Sequence, residues 1–227
     1  MKIGAIIVAA GEGKRMLGKE KLFHSLGGYP LLVLTLSAFQ SHPDIESIVL
    51  VGGERVRKEF GANWKGRYKL SKTIAAVAGG PRRQDSVYNG LQAFPAPPDL
   101  ILIHDGDRPF ISGSIISAVI HGAAQGGALA AVAVKDTVKR VDDEGVIIDT
   151  PNRSELRLAQ TPQGFLYPLI LSAHQRALRE GWEVTDDAAL AERAGLRVRV
   201  VEGSYDNIKI TTPEDLALAE LIYSRRK

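Results

Sequence analysis

Ile3-Gly4-Ala5-Ile6-Ile7-Val8-Ala9-Ala10 runs without a polar side chain into Gly11-Glu12-Gly13-Lys14-Arg15-Met16, with Lys19 and Lys21 close behind. A short run with no polar face fits a strand buried at the centre of a parallel sheet. The two glycines after it let backbone N–H groups come close to an anion, and the cations beyond can neutralise that anion. A phosphate site is therefore expected at the carboxyl end of a central strand.

Two better-known motifs do not fit this stretch. Gly11-x-Gly13 begins a dinucleotide fingerprint, but Met16 stands at the third glycine position and no ribose-binding acid ends a second strand at the expected distance. Gly13 to Lys19 has the spacing of a P-loop, yet Glu20 occupies the place of the magnesium-binding hydroxyl. For an isolated Gly-x-Gly, a tight strand-to-helix turn with solvated cations is the plainer reading. Arg15 and Lys21 tip the balance towards phosphate.

Composition narrows the choices further. The 227 residues are 44% hydrophobic, enough for a sizeable core. No apolar run approaches the ~20 residues of a bilayer span, and the first apolar run leads into the glycine loop instead of a signal-peptide cleavage pattern. A soluble, cytoplasmic protein is expected. The absence of cysteine excludes disulfides and thiol catalysis. A net charge of +3 from 29 cations and 26 anions, with 6% aromatics and no basic stripe, argues against nucleic-acid binding. The five histidines lack zinc-site spacing.

Outward from the loop, strand-like and helix-like stretches alternate. Pro30 opens a helix with an apolar face through Leu31, Leu34 and Ala38. Strands are expected at 47–51, 74–78, 99–104, 128–134 and 197–201, and helices at 54–60, 82–94, 112–125, 167–180, 186–194 and 212–225. This describes an α/β fold with a doubly wound, mainly parallel sheet, whose ligands lie at the carboxyl ends of the strands. Gly11-Glu12-Gly13, Gly79-Gly80 and Asp105 should thus share one edge. Alternation fails between Lys135 and Gln163, where residues 137–141 and 146–150 pattern as a hairpin with Gly145 at a left-handed turn position. Either a surface hairpin or an arm packed on a partner fits that pattern. No repeat or linker divides the chain, so a single domain, 1–227, is expected, with an arm at about 135–160.

Glycine loops and cations suggest a nucleoside triphosphate. Magnesium takes one or two carboxylates beside phosphate oxygens and water, and Asp105 in His104-Asp105-Gly106-Asp107-Arg108-Pro109 fits, with Asp107 as a second acid. Turn capping is the ordinary alternative for such an Asp.

Seven stretches, AAGEGKRM (Ala9 to Met16), GGPRRQDSV (Gly79 to Val87), HDGDRP (His104 to Pro109), KDTVKR (Lys135 to Arg140), TPQGF (Thr161 to Phe165), TDDAA (Thr185 to Ala189) and VEGSYDNIKITTPEDLALAE (Val201 to Glu220), occur in this order over nearly the whole chain. In them the sequence resembles the 2-C-methyl-D-erythritol 4-phosphate cytidylyltransferases of the non-mevalonate isoprenoid pathway. The resemblance implies a Rossmann-like nucleotidyltransferase fold with a projecting β-hairpin dimerisation arm. It also implies transfer of CMP from CTP to methylerythritol phosphate, giving 4-diphosphocytidyl-2-C-methyl-D-erythritol and pyrophosphate.

By the same resemblance, the backbone of Ala9, Ala10, Gly11, Glu12 and Gly13 holds the CTP phosphates, while Arg15 and Lys21 stabilise charge as pyrophosphate departs. Gly80, Pro81, Arg83 and Ser86 surround cytosine and ribose, and Asp105 holds Mg2+ or another divalent cation. Arg108, Thr137, Arg153, Thr161, Thr185 and Lys209 bind the acceptor, and Arg153 and Lys209 position its phosphate for attack. The arm embraces a second subunit, so that Thr137 and Arg153 complete the partner's site in a homodimer. Departures from the family pattern are Val8 and Glu20 in place of prolines, an Arg15-to-Lys21 spacing one residue shorter, and Gly106-Asp107 in place of Ala-Ala. Lys21 is accordingly chosen over Lys19. Ribitol-5-phosphate cytidylyltransferase and a catalytically inactive nucleotide-binding scaffold are the alternatives; Arg15, Lys21, Asp105 and Lys209 speak against the scaffold.

Overall fold

The apolar run near the N-terminus forms β1 (Ile3–Ala9), in which every side chain but Val8 is buried. Having no polar face, it lies inside the sheet with a parallel neighbour on each side. The computed structural model describes residues 1–11 and 21–226. After β1 come β2 (Ser25–Leu26), β3 (Tyr29–Pro30), α1 (Leu31–Ser41), β4 (Ile45–Gly52), α2 (Glu54–Glu59), α3 (Lys65–Arg67), β5 (Thr73–Ala78), α4 (Arg83–Gln92) and β6 (Leu100–Asp105). The second half holds α5 (Gly113–Ala123), β7 (Gly127–Ala133), β8 (Arg140–Val141), β9 (Ile147–Asp149), β10 (Arg157–Leu166), α6 (Tyr167–Glu180), α7 (Asp187–Arg193), β11 (Val198–Glu202) and α8 (Pro213–Arg225).

Seven strands form the main sheet in the order β11-β7-β10-β6-β1-β4-β5. Every neighbouring pair is parallel except the two made by β10. One face is covered by an apolar layer that includes Leu32, Leu36 and Phe39 of α1, Ile116 of α5 and Ile222 of α8. The other is covered by Val87 and Leu91 of α4, Ile170 of α6 and Leu190 of α7. The sheet is thus doubly wound. The helix starts expected at Arg82, Ser112, Asp186 and Thr212 are the N-caps of α4, α5, α7 and α8, and the last three accept a backbone N–H on their side chains.

Two expectations need correction. Leu34 and Ala38 are only half-buried, whereas Leu32, Val33, Leu36 and Phe39 are fully buried. A helix as apolar as LLVLTLSAF has no clear stripe from which its buried face could be chosen. The larger miss is β10, a ten-residue strand in the middle of the sheet where none was expected. Pro162 and Gly164 argue against a central strand, since proline cannot donate to the ladder. The strand takes proline because its pairing with β7 breaks between Ala159 and Gln163, so that Pro162 lies in a bulge and breaks no ladder bond. Arg157 to Gln160 therefore belong to this strand, although they were expected in the arm. The hairpin itself is short, turned by Gly145 at φ +82°, and it exposes Val141, Val146, Ile147 and Ile148. Among the described residues no helix is long and apolar enough to cross a membrane.

Candidate active site

A cleft of about 580 Å³ opens at the carboxyl ends of β1, β5 and β6. Sequence order reverses there, with β4 and β6 on opposite sides of β1, which is where ligands gather in such sheets. Ala9, Ala10, Gly11, Gly80, Pro81, Arg83, Ser86 and Asp105 all line it, as do Lys21, Asp107 and Lys209.

Two glycines allow the loops to meet. A Cβ on Gly79 would lie 2.3 Å from the Cβ of Ala10, and one on Gly80 would lie 2.5 Å from the Cβ of Asp85. Gly80 N donates to Ser86 Oγ at 3.0 Å. This wraps the loop onto the first turn of α4, whose positive dipole end borders the cleft.

Asp105 collects the site's cations. It is 7% exposed. Lys209 Nζ donates to its Oδ2 at 2.8 Å, Arg83 Nε donates to its Oδ1 at 3.1 Å, and Arg108 Nε lies 3.7 Å from Oδ2. Burial alone would push this carboxyl up, but Arg83, Lys209 and Arg108 outweigh it and hold the group well below the usual carboxylate range. Arg83 also donates from Nη1 to Asp187 Oδ2 at 2.6 Å, and His174 Nε2 lies 3.3 Å from Asp187 Oδ1. Among the described residues, Arg83 Nη2, Arg108 Nε and Asp107 Oδ1 are buried without a hydrogen-bond partner. Beside a cleft, such atoms call for a ligand, an ion or water to satisfy them.

Lys21 stands at the start of a short 3₁₀ turn, Lys21–Phe23, anchored by buried Leu22. Its Nζ donates to Asp107 Oδ2 at 2.5 Å and to the Ile210 carbonyl at 2.9 Å. The loop lysine therefore points at the same strand end as Asp105.

Beneath the cleft lies a buried relay. Asp105 N donates to Thr161 Oγ1 at 3.1 Å, Thr161 Oγ1 lies 2.9 Å from His104 Nδ1, and His104 Nε2 lies 3.1 Å from the Arg108 carbonyl. A neutral imidazole, donating from Nε2 and accepting at Nδ1, satisfies all three contacts. Burial pushes His104 from the usual 6.5 down to about 4. The unfolded chain takes up this proton near 6.5 and the folded protein only near 4. Stability should thus be complete above the first value and fall by about 3 kcal/mol as pH drops to the second. Urea unfolding at pH 7 and at pH 4 should show the loss, and His104→Gln should flatten it.

A family model described as 2-C-methyl-D-erythritol 4-phosphate cytidylyltransferase (IspD) matches residues 3–225. The chain belongs to the 2-C-methyl-D-erythritol 4-phosphate cytidylyltransferase family. A cytidylyltransferase of that name from Bacillus mycoides is 46% identical over 217 residues, 95% of each chain. One from Desulforamulus reducens is 48% identical over 230 residues, covering 99% of this chain and 97% of its own. The crystal structure of the 4-diphosphocytidyl-2C-methyl-D-erythritol synthase of Anaerococcus prevotii matches with a TM-score of 0.87 at 34% identity, over 99% of this chain and 96% of that one.

Not every residue assigned by resemblance to this cytidylyltransferase family lies in the cleft wall. Glu12, Gly13 and Arg15 fall outside the described residues. Arg108 lies behind Asp105, its Nη1 donating to the Asn207 carbonyl at 2.7 Å. Thr161 is buried in the relay, and Thr185 is exposed just before the cap of α7. Thr137 and Arg153 are exposed near the hairpin, where Arg153 Nη1 donates to the Lys135 carbonyl at 2.9 Å. Sequence reading missed Asp187 and His174. Asp187 stood in plain view in TDDAA, but an acid at a helix start reads as a cap; Asp186 performs that role, which leaves Asp187 to hold Arg83.

Proposed function

We propose that this cleft transfers CMP from CTP to 2-C-methyl-D-erythritol 4-phosphate, releasing pyrophosphate. The observation that carries the reading is the convergence of Lys21, Arg83 and Lys209 on one strand edge with Asp105, beside a glycine loop. Both reactants are polyanions, so the main task is to bring two phosphates together and to stabilise charge as the bond to pyrophosphate breaks. Ala9, Ala10 and Gly11 line the place for the triphosphate, and by the family resemblance Glu12 and Gly13 share in binding it while Arg15 and Lys21 stabilise the charge of the departing pyrophosphate. Gly80, Pro81, Arg83 and Ser86 surround the nucleoside. Lys209, with Arg108, Thr161 and Thr185, takes the acceptor, and Thr137 and Arg153 on the arm complete the site of a second subunit. An acceptor phosphate oxygen attacks the α-phosphorus in line and needs no general base, because it is already ionised.

We place a divalent cation beside Asp105, where it would share the carboxylate with Lys209, Arg83 and Arg108. Among the described residues no three carboxylate or imidazole groups form a metal cluster, and magnesium is often held by one or two carboxylates plus phosphates and water. The unpartnered Asp107 Oδ1 adds acceptor capacity at the same place. Bound there, the cation would supply Lewis-acid neutralisation of the phosphates.

The exposed Val141, Val146, Ile147 and Ile148 support a hairpin that packs on a second subunit. Light scattering should give about twice the 24.5 kDa chain mass; an active monomer would remove Thr137 and Arg153 from a partner's site. We also assign the enzyme to the cytoplasm. Pyrophosphate release with CTP, magnesium and each acceptor tests the function. Release with methylerythritol phosphate is expected. Release with ribitol 5-phosphate alone would overturn the acceptor, and release with neither would leave a nucleotide-binding scaffold.

A further inference from the structure

We propose that Asp107 is a latch on Lys21 that competes with an incoming nucleoside triphosphate for this ammonium group, so that this carboxylate sets how weakly the cleft holds nucleotide before a divalent cation arrives. The proposal rests on the reading of the cleft as a triphosphate site. Lys21 is held at two points, by Asp107 Oδ2 at 2.5 Å and by the Ile210 carbonyl at 2.9 Å. An ammonium group has three N–H donors, so one remains for a phosphate. The two side chains are 14% and 11% exposed, and water screens such a pair poorly.

The latch is fixed from behind. Ile210 N donates to the Asp107 carbonyl at 3.0 Å, so the carboxylate and the second acceptor of Lys21 belong to one connected pair of segments. Asp107 differs from its neighbour Asp105, which gathers Arg83, Lys209 and Arg108. Among the described residues its ion pair is with Lys21, and its Oδ1 is buried without a hydrogen-bond partner. A triphosphate reaching for Lys21 therefore meets a partly satisfied carboxylate already on the same ammonium. Two anions competing for one cation repel each other, and the ligand loses the difference. Removing the carboxylate should relieve that competition and leave Lys21 to the phosphates.

Calorimetric titration with CTP, with EDTA and separately with magnesium, tests this on the wild type, Asp107→Asn, Asp107→Ala and Asp107→Glu. In EDTA the Asn and Ala variants should bind CTP about tenfold more tightly than the wild type, and the Glu variant, which keeps the charge, should not. With magnesium the gain should shrink. In a Lys21→Ala background Asp107→Asn should tighten binding less than in the wild type, because the two residues act as a pair. A structural defect would weaken binding, so tightening separates a latch from simple damage. Unchanged or weaker binding by the Asn and Ala variants beside a wild type that binds CTP would overturn the latch alone. No CTP binding by any of the proteins, with or without magnesium, would overturn the nucleotide reading and the latch with it.

Discussion

Lys21→Ala should lower turnover by roughly a hundred- to a thousandfold and leave the fold intact, while Lys19→Ala should change it little. Leu22 is buried and anchors the turn, so the fold should survive the truncation, with some loss of stability because Asp107 is left without its ion pair. What disappears is one preorganised cation from a place where negative charge grows during the reaction, worth about 3 to 4 kcal/mol in the comparable case of a single oxyanion donor. If Lys21 acts chiefly on the transition state, kcat and kcat/KM fall together. Steady-state pyrophosphate release, with circular dichroism to check the fold, measures this. The reverse ranking of the two lysines would show that Lys19 is the residue that meets the phosphates.

Asp105→Ala should cost both stability and activity. In the wild type one buried carboxylate faces Arg83, Lys209 and Arg108, which without it would repel one another. Asp187 still holds Arg83 from the other side, and Lys209 is 37% exposed, so water screens part of the repulsion. Removing one partner of a buried pair costs about 3 to 5 kcal/mol, and the lower end is expected here. Urea unfolding at neutral pH should show that loss. Since this carboxyl is held well below its usual range, its stabilising effect is present at neutral pH and fades only as pH falls below about 4. The unfolding curves of variant and wild type should accordingly converge in strong acid. Activity should drop at least a hundredfold, because Arg83 and Lys209 lose their common anchor. A variant as stable and active as the wild type would mean that the cluster is surface decoration.

Much of this was legible in the sequence, for identifiable reasons. β1 has no polar face, which suits a central position, and the cations Arg15 and Lys21 close behind its glycines turned the reading from a tight turn towards phosphate. The cap residues Ser112, Asp186 and Thr212 fixed helix starts to within one residue. What could not be read depended on partners distant in the chain. β10 hides a central strand behind a proline because its bulge is defined only by the register with β7. The buried face of α1 was invisible because nearly all its residues are apolar. Asp187 and Arg83 are 104 positions apart, and nothing local to either announces their contact. Asp107 could be seen to be an acid beside Asp105, but its hold on Lys21 spans 86 positions.

In the proposed reaction an oxygen of the acceptor phosphate attacks the α-phosphorus of CTP in this cleft. This attack is tested most directly by running the reaction with methylerythritol phosphate whose non-bridging phosphate oxygens carry ¹⁸O, and weighing both products by mass spectrometry. All of the label should remain in the diphosphocytidyl product, one labelled oxygen bridging the two phosphorus atoms, and the pyrophosphate should carry none. Label in the pyrophosphate, or its loss from the nucleotide product, would contradict this attack.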